Sequence, residues 1–167
     1  MTEKYNFTTT QRAILVLLRS QDKNHKSYSP IPGNLHVVKE LFAIHQTDLG
    51  KKLIPELKFE PDNFGPWDET IFDALDALRD GGFISFDATT SRHRRIELTE
   101  KGKVVSDDLW NRLKDDVKDL FYYAKANFNH LSSEQLLKKI YSAYPEMAQN
   151  SISKVANEYR SQSISTA

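Results

Sequence analysis

The sequence predicts a mainly helical α+β fold, a winged helix-turn-helix carrying a C-terminal helical extension. Three observations lead there. Three helical patterns precede two short strand patterns, a capped helix follows the second strand directly, and helical periodicity continues past residue 113. The chain has 167 residues, 23 basic and 23 acidic, is 39 % apolar and contains no cysteine. This length can bury a sizeable core in one domain, and 9 Phe, 7 Tyr and 2 Trp are too many for a disordered chain. The lack of cysteine excludes disulfides, Fe–S clusters, thiolate zinc sites and a cysteine nucleophile. Zero net charge leaves only local patches as an argument for nucleic acid or a membrane surface.

The first helix starts near Thr8, where Thr8-x-x-Gln11 forms a capping box. Residues Ala13 to Leu18 are apolar on every side, which predicts a central, buried helix. Pro30-Ile31-Pro32-Gly33 forces a turn. A second helix, about Asn34 to Gln46, carries Leu35, Val38, Phe42 and His45 along one stripe. The connection through Gly50, Pro55 and Pro61 holds a possible short strand, Leu57-Lys58-Phe59. Phe64-Gly65-Pro66-Trp67 is expected to open a third helix with Pro66 in its first turn. Ile71, Phe72, Leu75 and Leu78 form its buried face, and Gly81-Gly82 ends it.

Phe83 to Phe86 and Ile96 to Leu98 pair as a hairpin around a polar tip. Thr99 caps a fourth helix with Val104, Val105, Leu109, Trp110 and Leu113. Apolar spacing then continues to Phe128 without proline or glycine. One helix of about 29 residues would span ~44 Å, so two helices meeting near Lys114 to Asp116 are expected instead. Ser132-x-x-Gln135 is a second capping box, Leu131 and Leu136 form a hydrophobic staple, and Pro145 ends that helix. A last short helix is expected over about Ser151 to Tyr159. This divides the chain into a winged-helix core (1–113), a helical extension packed on the same domain (114–160) and a flexible tail (161–167).

Certain segments resemble a known group. Leu98-Thr99-Glu100-Lys101-Gly102 looks like the wing-to-helix junction of many bacterial and archaeal winged-helix proteins. Lys39-Glu40-Leu41-Phe42 resembles the K-x-L-F helix of the YwgA-like and Panacea-type (SocA-like antitoxin) proteins. Phe64-Gly65-Pro66-Trp67 is similar to their aromatic-Gly-Pro-aromatic motif, and Tyr144-Pro145-Glu146 to the Y-P-E that follows their C-terminal helix. Two departures stand out: Trp67 replaces tyrosine, and Gly33-Asn34 replaces a turn that often carries a basic residue. The resemblance covers roughly residues 10–151. It implies a non-enzymatic module linked to toxin neutralisation, phage-associated functions or proteolytic adaptation.

In a DNA-reading winged helix the third helix normally enters the major groove. Here that helix carries Asp68, Glu69, Asp73, Asp76 and Asp80 against one cation, Arg79. Five carboxylates oppose binding to a polyanion. They fit a solvated face or a surface for a basic protein partner. The wing has the opposite charge, with Arg92, His93, Arg94 and Arg95 followed by Lys101 and Lys103. This cluster suits phosphates or an acidic partner, or internal pairing with Glu97, Glu100 or the acidic helix. Strand alternation splits Arg94 and Arg95 between faces.

His36 and Glu40 lie four apart, a spacing compatible with two metal ligands, but without a third they read as a solvated helix face. The pairs Asp107-Asp108 and Asp115-Asp116 are also expected on an exposed face. No HExxH, GxSxG, P-loop or dinucleotide fingerprint occurs, so neither catalytic residues, a cofactor nor a metal is expected. Winged-helix proteins often pair through helices outside the motif, and Trp110, Tyr122 or Tyr123 at such a seam would make a homodimer. No segment is apolar for the ~20 residues a bilayer requires, and Met1 to Thr10 lack a basic leader region. The resulting expectation is a cytoplasmic, non-enzymatic regulatory and interaction module acting by protein contact, for which the resemblance implies an antitoxin-like or phage-associated role. Its alternative is a DNA-binding transcriptional regulator using the basic wing.

Overall fold

A computed structural model describes residues 5–87 and 94–148. The chain is α+β and mainly helical, with two small antiparallel sheets. Helix α1 (Thr9–Arg19) begins at the expected capping box: Gln11 N–H donates to Thr8 Oγ1 at 3.1 Å, and Thr8 N–H to Gln11 Oε1 at 3.0 Å. Ala13 to Leu18 are all buried, because α1 is covered by helices on several sides. Two of these are α4 (Glu69–Asp80) and α5 (Glu100–Asn111). Another is α6 (Asp115–Phe128), which also packs on α2 (Asn34–His45). Its Val117, Phe121, Ala124 and Phe128 belong to the same core as α1.

The break between α5 and α6 falls at Lys114, whose ψ of 157° is extended. Strands β3 (Ile84–Asp87) and β4 (Arg95–Leu98) pair with Ile84 opposite Leu98 and Asp87 opposite Arg95. Ile31 adds a one-residue bridge, exchanging two backbone hydrogen bonds with Ile96 at 3.0 and 2.9 Å. Helix α7 (Ser133–Ala143) starts at the second capping box and is followed by a 3-10 turn, Pro145–Ala148. A second core gathers Phe42, Leu137, Ile140, Tyr141 and Ala148.

The connection after α2 holds more structure than its prolines and glycine suggest. Thr47 Oγ1 accepts Gly50 N–H at 2.9 Å and caps a short helix, α3 (Asp48–Leu53). Phe64-Gly65-Pro66-Trp67 does not open a helix. Strands β1 (Glu60–Asp62) and β2 (Gly65–Trp67) form a hairpin in which Pro61 faces Pro66. Neither ring nitrogen has a proton to donate, which suits so short a ladder. Gly65 has φ +87°, and a Cβ there would press on Tyr141, Leu137 and Lys39, so both conformation and space select glycine. Helix α4 therefore begins after Asp68, its N-cap, which accepts Thr70 N–H at 2.8 Å.

Two further expectations are overturned. His36 and Glu40 are not solvated; both are buried, because α6 and α7 cover that side of α2. Asp107 is only half-exposed, bound by Arg19 and by the Tyr28 hydroxyl at 2.6 and 2.8 Å. The helix expected at Ser151 to Tyr159 and the tail at 161–167 lie outside the described residues.

Candidate interaction surfaces

Helix α4 packs on α1 and β3 through Ile71, Ala74, Leu75 and Leu78. Its acidic residues follow the opposite periodicity. Glu69, Asp73, Asp76 and Asp80 are spaced four, three and four apart and are all exposed, so at 100° per residue they share an arc of about 60°. Asp76 and Asp80 pair with Arg79 at 3.6 and 3.2 Å, leaving a surplus of negative charge along about three turns. Asp68 is not part of this stripe: its two oxygens bind Thr70 N–H and Lys58 N–H. At the stripe's N-terminal end Trp67 stacks on Phe72, with ring centroids 4.4 Å apart, and Trp67 Nε1 donates to Glu69 at 3.4 Å. The tip of the β1–β2 hairpin leaves Phe64 47 % exposed.

The basic residues between positions 92 and 103 divide among several roles. Arg92 and His93 lie outside the described residues, and Arg94 is exposed. Arg95 is paired within its own hairpin, with Asp87 at 3.3 Å and Glu97 at 2.8 Å. Lys101 donates to the Gly81 carbonyl at 2.8 Å and lies 4.4 Å from the Phe83 ring centre, which places a cation at the negative end of α4. Lys103 pairs with Glu100 at 3.3 Å and faces the Tyr28 ring. In the same junction Thr99 Oγ1 donates to Gly82 O and accepts Gly102 N–H. A Cβ on Gly102 would collide with the Phe83 carbonyl. The Leu98-to-Gly102 segment is therefore a structural splice between α4 and α5.

Beside the base of the β3–β4 hairpin is a cleft of about 650 Å³, walled by the loop from Asp22 to Pro32, by Asp87 and Arg95, and by the end of α6. Lys125 lies at its floor, donating to the carbonyls of Leu18, Ser20 and Ser29 at 2.8, 2.9 and 2.8 Å. Burial lowers Lys125 to about 7, while the nearby carboxyls of Glu40 and Asp22 pull it upward. Glu40 is fully buried, and neither carboxyl oxygen has a hydrogen-bond partner among the described residues. Burial raises it well above the ordinary carboxylate range, against the attraction of Lys125.

The resemblance-bearing motifs meet at the second core. Lys39 Nζ, itself buried, donates to the Pro66 carbonyl at 2.9 Å, so the K-x-L-F and Gly-Pro segments touch directly. Phe42 meets Tyr144 edge-on at 4.8 Å and Phe59 at 5.2 Å, joining the Tyr-Pro-Glu segment to the same cluster. Burial brings Lys39 down to about 7, partly offset by Asp62. These residues hold structure together. Of the expected dimer-seam aromatics, Tyr123 is exposed, whereas Trp110 and Tyr122 are half-buried.

No family model matches the chain, and no curated protein matches it. Among the described residues no helix is long and apolar enough to cross a membrane. No three His, Asp or Glu side chains among them are grouped as a metal site requires.

Proposed function

We propose that the chain is a non-enzymatic, cytoplasmic interaction module built on a winged helix-turn-helix, which docks a basic protein segment on the acidic face of α4. The observation that carries this reading is the register of Glu69, Asp73, Asp76 and Asp80, four exposed carboxylates on one line of a helix whose other side is apolar. A Lys- or Arg-rich segment complements that line, and the flanking Trp67–Phe72 stack offers a face for a cation. The winged-helix reading is supported by the order α1, α2, α4, β3, β4 and α5, and by the Ile31 bridge to the hairpin. The convergence of three separate motifs on one core supports the resemblance to the YwgA-like and Panacea-type group, and with it an antitoxin-like role.

A second reading, a DNA-binding regulator, draws on exposed Arg94 immediately before the hairpin's returning strand. The two diverge in solution. At about 150 mM salt a labelled arginine-rich peptide should bind, with affinity falling as salt rises, while random duplex DNA does not. Salt-sensitive duplex binding with no peptide binding would instead select the DNA reading.

A further inference from the structure

The exposed carboxylates of α4, Glu69, Asp73, Asp76 and Asp80, are spaced four, three and four residues apart. Along the helix axis this puts them about 6, 4.5 and 6 Å apart, a span of about 16.5 Å. An extended segment laid on the same line presents its own one-sided residues every ~6.7 Å. Over three intervals it would overshoot the stripe by roughly 3–4 Å, about the whole N···O reach of an ion pair. A second helix repeats the spacing of the first, and two helices side by side keep it through a shallow crossing.

The ground beside the stripe suits a helix as well. By helical geometry Thr70 and Ala77 fall on one flank, and Phe72 and Arg79 on the other. Ala77 is exposed and Thr70 half-buried, so the first flank is low and lets a neighbouring backbone come close. It opens on a groove of about 350 Å³ between α4 and the start of α1, lined by Thr9, Glu56, Thr70 and Asp73 among others. Among the described residues no lysine or arginine lines this groove. Glu56 is fixed there by the Thr10 N–H at 2.8 Å and by the Thr9 and Thr10 hydroxyls. Partial burial pushes its carboxyl up, but the bonds from Thr10 and Thr9 outweigh this and hold it below its ordinary value. Asp73 makes no ion pair among the described residues. One groove thus holds a fixed carboxylate and an unpaired one, next to the stripe. We infer that the basic segment docked by α4 is itself an α-helix. It runs alongside α4 with Lys or Arg at the same four-three-four spacing, and one of those side chains enters the groove between Glu56 and Asp73. The inference rests on the docking role proposed for α4 and adds the shape of its partner.

Fluorescence anisotropy with three peptides of about 16 residues, a length at which an isolated helix is marginal, tests it. Each carries four arginines among alanine and glutamine. The first spaces them four, three and four apart, and the second places them at every other residue. The third keeps the first spacing but has a central proline that breaks the helix. The first should bind about fivefold or more tighter than either of the others, as expected when one or two exposed ion pairs are lost. Its circular dichroism should turn helical on binding, and D73N/D76N/D80N should abolish its advantage. Equal affinity for all three peptides, or binding without a gain in helicity, overturns the helical partner and leaves the docking role standing. Failure of every peptide to bind overturns the docking role itself, and the inference with it. Dimerisation of the chain alone that D73N/D76N/D80N abolishes would give the face to a second copy instead.

Discussion

Helices α2 and α4 are both 12 residues long and both carry ionisable groups at helical spacing, yet they use them in opposite ways. In α4 the charges face outward, and the helix rests on α1 and β3 by one apolar side only. In α2 the charged positions are inside: His36, Lys39 and Glu40 are buried under α6, α7 and the β1–β2 hairpin. Each of the two cationic side chains that deal with this burial finds backbone carbonyls. Lys39 reaches Pro66, and Lys125 of α6, next to Glu40, reaches Leu18, Ser20 and Ser29. His36 Nε2 donates to the Leu131 carbonyl at 2.6 Å. A charge's position in the helical period does not by itself say whether it meets water or the next layer of protein. On α2 the His36 and Lys39 side chains are taken up by backbone carbonyls, whereas the α4 stripe faces water.

The largest effect should come from Lys125→Ala. It leaves three buried carbonyls without a donor and removes the charge beside Glu40, so urea denaturation should register a loss of about 3–5 kcal/mol. A loss no greater than that of a surface lysine would break the comparison. Lys39 gives a signed pH effect. Its folded value near 7 lies below the 10.5 of the unfolded chain. Its stabilising contribution is therefore fully present above 10.5 and is lost as pH falls through 7. The stability of the native chain relative to Lys39→Met should accordingly grow by on the order of a few kcal/mol between pH 7 and 10, measured as paired urea midpoints. An unchanged difference would mean that Lys39 keeps an ordinary proton affinity. His36→Ala should cost about 1–3 kcal/mol through the Leu131 carbonyl it strands. Neutralising the α4 stripe with D73N/D76N/D80N should move the midpoint least, since these groups are exposed and their pairing with Arg79 is solvent-screened.

Local chemistry was legible in the sequence, and contacts between distant segments were not. Thr8 with Gln11, Ser132 with Gln135, and Gly81-Gly82 mark helix ends by local chemistry, and the structure places those ends accordingly. The α5–α6 break was legible for a related reason: a single helix would outrun the domain. The β1–β2 hairpin was not legible, because Pro66 suits a helix start and a short strand equally. The Lys39 contact that fixes it comes from 27 positions away. Glu40 and His36 were misplaced because their cover lies far along the chain, on α6 and α7. The acidic residues of α4 were visible one by one in the sequence, while Asp68 turned out to be a cap. The cleft had no sequence signature, since its walls come from the Asp22–Pro32 loop, the hairpin and α6.

One titration bears most directly on the division between supporting and presented charge: an arginine-rich peptide followed by fluorescence anisotropy against the native chain and D73N/D76N/D80N, with urea midpoints recorded for both. Affinity should fall about tenfold or more, as expected when several complementary charges are removed, while the midpoint stays where it was. Equal affinity for the two proteins, or a fall in affinity that merely follows a fall in stability, would contradict the account.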